Sequence, residues 1–107
     1  MKDFDKIIWR NALTFVDFFA VWCGTCRAMT PVIDRFQKQM NGRADVYRMD
    51  IEDPDLLEIV RRYNIVSVPT LMFFRRGEVL WRKSGQVDYE HLVNVLNELE
   101  KHEHVLL

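Results

Sequence analysis

The sequence predicts an α/β fold, with helices packed around a mixed β-sheet, and three observations support this prediction. Helical periodicities alternate with strand-like apolar segments along the 107 residues. The first two long strand segments flank a helical segment, as in a parallel pair joined by a right-handed crossover. Residues 70–85 instead have the pattern of a β-hairpin with a tight turn at Gly77, which adds antiparallel strands.

The first half of the chain contains three predicted elements. Residues 3–10 have the pattern of a short amphipathic helix. Residues 13–21 are almost continuously apolar, as in a strand buried on both faces, and Asp17 interrupts them. In residues 25–40 the apolar positions recur at spacings of three and four, which predicts a second helix.

The second half continues the alternation. Residues 44–51 alternate like a strand. Residues 53–64 are predicted to form a helix, because they open with an Asp cap and a proline at the first helical position. After the hairpin, Asp88 caps a last helix at about residues 89–100. The predicted order is therefore α-β-α-β-α-β-β-α, in one domain that spans residues 1–107.

The composition and charge of the chain indicate a globular domain and argue against nucleic-acid binding. A chain with 49% hydrophobic and 12% aromatic residues can bury a real core. Fifteen basic and sixteen acidic residues give a net charge of −1, and the arginine pairs at 61–62 and 75–76 are too short for a nucleic-acid patch. We therefore expect no nucleic-acid partner, and solvated arginine side chains.

Charges interrupt residues 1–15, which therefore lack the apolar core of a signal peptide, and no apolar run is long enough to span a membrane. We expect a cytoplasmic protein with no membrane partner, and a monomer. If Met1 begins a mature chain whose signal was removed, a periplasmic or secreted location is the alternative.

The two cysteines, Cys23 and Cys26, form one local motif in a chain that needs no disulfide to fold, which indicates chemistry rather than a framework. Cys23 precedes the second helix, where the helix dipole and unpaired N–H groups favour the nucleophilic thiolate. Cys26 follows one turn later and is expected to be more buried. Such a pair can attack a substrate disulfide, form a mixed disulfide and resolve it internally.

Three other interpretations of the cysteines are weaker. A zinc site lacks its second half, because the other ligands of that kind are His91, His102 and His104, on or beyond the last helix. A structural disulfide across so small a ring would constrain the unfolded chain little. Incidental core cysteines are disfavoured because Trp22 and Gly24 flank them in a loop-to-helix corner. We therefore expect redox chemistry without a metal or a bound cofactor.

Asp17 is unusual because an ionised carboxylate in an apolar strand is costly unless it is paired, so it tends to take up a proton. A strand-edge carboxylate turned to solvent is the alternative, but the segment has no alternating polar positions. A buried aspartate whose pKa is raised can exchange a proton with a nearby thiol close to neutral pH.

The segments VDFFAVWCGTC and YNIVSVPTLMFFRRGEVLWRKSG closely resemble the thioredoxin family in motif, spacing and element order, from about Leu13 to Leu99. The resemblance implies the thioredoxin fold, a mixed sheet of four to five strands with helices on both faces. The short N-terminus leaves no obvious room for the first strand of a typical member, so a sheet of four strands is the alternative to five.

The resemblance also implies a thiol-disulfide oxidoreductase that reduces protein disulfides, with Cys23 as nucleophile, Cys26 as resolving thiol and Asp17 as acceptor of the Cys26 proton. Its partners would be disulfide-containing proteins and an electron donor similar to thioredoxin reductase. Pro69 would be cis and leave the Val68 backbone free to pair with an extended substrate. The groove would be lined by Trp22, Gly24, Thr25, Ser67, Val68, Pro69 and Gly85. For Trp22, a core position is the alternative.

Two departures from the family pattern affect the chemistry, whereas Phe19 in place of the usual tryptophan is a conservative packing change. Arg48 stands where thioredoxins commonly have lysine near the buried aspartate. It could lower the pKa of Asp17 but could not share its proton. Thr25 replaces the usual proline and restores an N–H beside the Cys23 sulfur, which favours the reduced form and a more oxidising couple. An oxidase or isomerase of exported proteins is therefore one alternative function, and a non-redox binding module is another.

Overall fold

The computed structural model describes the backbone of residues 2–106 and the side chains of residues 3–102. Its elements follow the predicted order, and the α/β class is confirmed. A 3₁₀ turn (Pro54–Leu56) leads into the third helix. The elements are α1 (Lys2–Ile8), β1 (Thr14–Phe19), α2 (Gly24–Gln39), β2 (Asp45–Asp50), α3 (Leu57–Arg62), β3 (Thr70–Arg75), β4 (Glu78–Ser84) and α4 (Tyr89–Leu106).

The sheet is mixed, and within residues 2–106 it has four strands in the order β2-β1-β3-β4. Strands β1 and β2 are parallel and are joined through α2, whereas β3 is antiparallel to both β1 and β4. This is the thioredoxin fold with four strands, since the chain before β1 forms α1. In the β3–β4 turn, Arg76 and Gly77 both have positive φ, 52° and 79°, as a tight two-residue hairpin turn requires.

Each face of the sheet has its own core, because alternate residues of a strand point to opposite faces. Phe15 of β1 packs on Phe73 and Phe36 towards α2 and α4, and its ring centroid lies 4.9 Å from that of Phe73. Val16 and Phe18 pack on the other face towards α1 and α3. The predicted strand buried on both faces is confirmed, although it is shorter at both ends.

The predicted helix caps are present, whereas several helix ends differ from the prediction, most of all that of the last helix. The Asp53 carboxylate accepts the Asp55 N–H at 3.0 Å, and Asp88 accepts the N–H of His91 at 2.8 Å. Helix α4 continues to Leu106, beyond the predicted end near residue 100. Within the described residues, no helix combines the length and apolar character needed to cross a membrane.

The topology brings two loops to the same end of the sheet. Strand β1 ends at Phe19, and residues 20–23 lead from it into α2. Phe18 of β1 lies beside Thr70, the first residue of the antiparallel strand β3, so residues 65–69 reach the same end. The active-site end is defined here by these two loops.

Candidate active site

Cys23 is the N-cap residue of α2. Its Sγ accepts a hydrogen bond from the N–H of Cys26 at 3.1 Å, one of the N–H groups that the helix itself leaves unpaired. The Cys23 thiol also lies 3.7 Å from the carbonyl O of Val68, in the second loop. Both cysteines are free thiols. A backbone N–H directed at the sulfur stabilises its thiolate form.

Cys26 is the more buried cysteine, as expected, with 1% of its surface exposed against 7% for Cys23. Ala20, Phe19 and Val68 pack around the pair. Burial, the hydrogen bond with Cys23 and the charges of Cys23 and Asp17 together raise the pKa of the Cys26 thiol to about 11, against a smaller lowering by the Ala20 backbone. Cys26 is therefore a thiol that needs help to lose its proton.

Asp17 lies fully buried in the middle of β1, so the solvent-facing alternative is wrong. Its Oδ2 accepts a hydrogen bond from Arg48 Nε at 3.2 Å, whereas Oδ1 has no hydrogen-bond partner among the described residues. Burial raises the pKa of Asp17, and this effect outweighs the lowering by Arg48. Arg48 is thus next to Asp17 as expected, but it binds only Oδ2 and leaves Oδ1 available for a proton.

Arg48 covers the outer side of this carboxylate. It lies directly opposite Asp17 on β2, with 30% of its side chain exposed. Its guanidinium stacks over the Phe19 ring at 4.6 Å from the centroid, and Phe19 in turn packs against the cysteines. The planar guanidinium fits this stacked position, which a lysine ammonium would not fill in the same way.

The second loop lies against the cysteines, because Val68 packs on them. Its Val68–Pro69 peptide bond is cis, as the resemblance implied. The N–H of Gly85 donates to the Pro69 carbonyl O at 2.8 Å, which brings Gly85 beside the loop. Gly85 has φ 98°, a left-handed conformation that favours glycine. The structure therefore brings Val68 to the sulfur of Cys23, and Gly85 to the adjoining Pro69.

The residues that flank Cys23, before it in the first loop and after it at the start of α2, are exposed. Trp22 has 63% of its surface exposed, so the core alternative for this residue is wrong, and Gly24 and Thr25 are exposed beside it. Within the described residues, the hydrogen bond to Cys23 Sγ comes from Cys26 N–H and none comes from Thr25 N–H. Any effect of Thr25 on the couple therefore acts through the helix terminus rather than through direct contact.

Sequence reasoning missed four residues at this end. Val21 and Val66 are 64% and 82% exposed and extend the apolar surface beyond Trp22. Arg27 donates to the Val21 carbonyl O at 2.8 Å, and Arg82 binds backbone carbonyls next to the second loop. An exposed arginine has no periodic signal, so only the fold reveals the carbonyl groups that it reaches.

No group of three or more His, Cys, Asp or Glu placed to hold a metal ion is found among the side chains of residues 3–102. His91 contacts the Trp81 ring instead, with ring centroids 6.1 Å apart. The third histidine considered for zinc, His104, lies outside the described side chains.

Comparison with known proteins agrees with this geometry. The thioredoxin family model matches residues 1–98. The chain belongs to the thioredoxin family. A thioredoxin of Staphylococcus epidermidis is 32% identical over 96 residues, which cover 90% of this chain and 89% of that protein. A thioredoxin of Rickettsia felis is 40% identical over 83 residues, 77% and 76% of the two chains. These relationships support a thiol-disulfide oxidoreductase.

Proposed function

We propose that this thioredoxin-family protein reduces disulfides of polypeptides through a reversible Cys23–Cys26 dithiol/disulfide couple. The observation that carries the proposal is the position of the two sulfurs. Cys23 Sγ caps α2 and accepts an N–H at 3.1 Å, and Cys26 lies buried one turn behind it. The outer cysteine is placed to attack and the inner one to resolve.

The first step is attack by the Cys23 thiolate on one sulfur of the substrate disulfide. The substrate S–S bond breaks, a mixed disulfide forms at Cys23, and the other substrate sulfur leaves and takes up a proton. In the second step the Cys26 thiolate attacks Cys23 Sγ and displaces the remaining substrate sulfur as a second thiol. The substrate gains two electrons and two protons, and the cysteine pair becomes a disulfide.

The second step needs a proton acceptor. With a pKa of about 11, only about one Cys26 in ten thousand is a thiolate at pH 7. Asp17 is suited to take this proton, because it is buried close enough for its charge to raise the pKa of Cys26, and its Oδ1 is not engaged by Arg48. Its raised pKa makes the carboxylate a better base than an ordinary aspartate.

The apolar surface around Cys23 favours polypeptide substrates. Trp22, Val21 and Val66 present apolar surface next to Cys23, which suits exposed or unfolded chain segments better than small polar molecules. The backbone of Val68 beside the nucleophile can pair with an extended substrate. No bound cofactor is needed in this scheme. Reducing equivalents would come from a thioredoxin-reductase-like donor, and we propose that the protein acts as a monomer in the cytoplasm.

A more oxidising role, as an oxidase or isomerase of exported proteins, is the second candidate, and the observation that favours it is Thr25. This exposed residue at the second position of α2 retains an N–H that the usual proline lacks. An added N–H at the positive helix terminus stabilises the thiolate, and a stabilised reduced form raises the reduction potential.

The test is insulin reduction driven by dithiothreitol, followed as precipitation of the released chains. The protein should accelerate the reaction catalytically, while Cys23→Ser should leave only the background rate. A wild-type rate equal to background would contradict the proposal and favour a non-redox binding module. Equilibration in glutathione buffers would then separate a strongly reducing couple from the oxidising alternative.

A further inference from the structure

The loop of residues 65–69 is buried at its two ends and exposed in its middle. Ile65 and Pro69 are buried and Val68 is half-buried, but Val66 is 82% exposed and Ser67 is also exposed. The same loop carries Val68, whose carbonyl O lies 3.7 Å from Cys23 Sγ. Because the middle of the loop buries little apolar surface, hydrogen bonds also contribute to the position of the loop.

Arg82 of β4 holds the start of this loop. Its guanidinium donates one N–H to the carbonyl O of Tyr63 and another to the carbonyl O of Asn64, the second at 3.0 Å. Asn64 has φ 51° and turns the chain away from α3 towards the loop. Carbonyls at a helix C-terminus lack intrahelical partners and carry partial negative charge, so a forked cation fits them.

The first residue of β3, supported by β4, holds the end of the loop. Thr70 Oγ1 donates to the Ser67 carbonyl O at 2.7 Å and lies 3.2 Å from Ser84 Oγ. Arg82 pairs with Met72 and Ser84 with Thr70, so both β4 residues lie on the α3 side of the sheet. Arg82 of β4 therefore binds the chain directly before the loop, whereas Ser84 of β4 supports the end of the loop through Thr70 of β3.

We propose that Arg82 is a positioning residue that selects extended polypeptide substrates by fixing the 65–69 loop against Cys23. This inference rests on the proposed function. A polypeptide must pair with the loop backbone as its disulfide reaches Cys23. The position of the loop therefore affects the rate at which that disulfide is reduced. A small disulfide needs only Cys23, which Arg82 does not contact. The Arg82 hydrogen bonds should therefore change the ratio of the two rates.

The experiment uses pre-reduced protein and compares second-order rate constants for insulin and for cystamine, a small disulfide. Arg82→Met keeps the apolar stem and removes the donors. It should slow insulin reduction about fivefold, the effect of one or two exposed hydrogen bonds, and leave the cystamine rate within about twofold. Arg82→Lys keeps the charge without the fork and should give an intermediate insulin rate.

Lys83→Met is the matched control. It removes one positive charge from the next residue of β4, which pairs with Leu71 and so points to the opposite face. Its two rates should both equal those of the wild type. A thermal melt of each variant shows whether it is folded, and if Arg82→Met does not fold, Arg82→Lys decides by the same ratio.

The inference is overturned if the insulin-to-cystamine ratio of the Arg82 variants equals that of the wild type, whether both rates fall together or neither changes. An equal fall would show a merely structural role. A wild-type protein that reduces neither substrate would instead refute the proposed function, so the two failures are distinguishable.

Discussion

The two ends of the sheet place their aspartate–arginine pairs in opposite environments. At the end far from the cysteines, Arg10 and Asp45 form an ion pair at 2.5 Å, with about 40% or more of each side chain exposed. At the active-site end the pair is Arg48 with Asp17, whose carboxylate is fully buried. At the same end, the apolar side chain of Trp22 is exposed to solvent.

This difference separates structural from functional placement. An exposed ion pair contributes about 0–1 kcal/mol, and such pairs are ordinary surface features. Burying a carboxylate with an unsatisfied oxygen and exposing an indole both reduce stability. Trp9 at the far end is also exposed, but a Cβ on Gly77 would come within 2.3 Å of its ring, so it packs on the turn. Under the proposed function, proton transfer by Asp17 and substrate binding by Trp22 would explain the unfavourable placements at the active-site end.

The largest effect is expected from Cys26→Ser. Serine cannot attack the mixed disulfide, so turnover with insulin should stop and a covalent adduct should accumulate at Cys23. Mass spectrometry without reductant would detect one substrate chain attached to the protein. Cys23→Ser is the control and should form no such adduct. A Cys26→Ser protein that still turns over would show that Cys26 is not the resolving thiol.

Asp17→Asn should change two quantities in opposite directions. Loss of the proton acceptor should slow resolution of the mixed disulfide about 100-fold at pH 7. Removal of a buried charge should raise the free energy of unfolding by about 1–3 kcal/mol at pH 7. Stopped-flow fluorescence and urea unfolding measure the two effects. Unchanged kinetics together with unchanged stability would contradict the role assigned to Asp17.

The stability effect has a definite pH dependence. Because burial raises the pKa of Asp17, the wild-type protein is penalised progressively as pH rises from the ordinary carboxyl pKa through the raised one. Below both values the carboxyl is protonated in the folded and unfolded states, and this penalty disappears. The stability gain of Asp17→Asn should therefore shrink in acid, whereas a constant gain would indicate a packing effect.

Thr25→Pro should make the couple more reducing. Proline removes one N–H from the positive terminus of α2, which weakens stabilisation of the Cys23 thiolate. We expect a shift of about 30 mV, or about tenfold in the equilibrium constant with glutathione. The fraction of Cys23–Cys26 disulfide in graded glutathione buffers measures it. An unchanged or more oxidising potential would refute this account of Thr25.

The smallest effect is expected at the far end. Asp45→Asn removes the carboxylate of an aspartate–arginine pair, as Asp17→Asn does, but at an exposed site. It should lower the free energy of unfolding by less than about 1 kcal/mol and leave insulin reduction unchanged. A stability gain like that of Asp17→Asn would remove the distinction between the two ends.

Much of the fold could be predicted from the sequence, because local signals mark most elements. Each of these signals depends only on residues that are close together in the sequence: the apolar run at β1, the caps at Asp53 and Asp88, and the turn at Gly77. Element ends were less predictable. Helix α4 continues to Leu106 even though its strongest apolar periodicity ends near Leu99.

The site was only partly predictable. Cys23 and Cys26 are neighbours along the chain, and Asp17 is conspicuous among apolar residues, so local reasoning found all three. The roles of Arg82 and of the Arg48–Phe19 stack depend on contacts between distant segments, and an exposed arginine has no pattern that identifies its partner. The exposure of Val66 was also missed, because nothing in the sequence distinguishes it from a core valine.

The most direct test of the central claim is a carbon NMR titration of the Asp17 side-chain carboxyl in the reduced protein. The account predicts a midpoint above the ordinary aspartate range, and a second inflection as the Cys26 thiol titrates with its pKa of about 11. A midpoint at or below the ordinary range would mean that Arg48 outweighs burial. Asp17 would then be a fixed charge, and its role as proton acceptor for Cys26 would be contradicted.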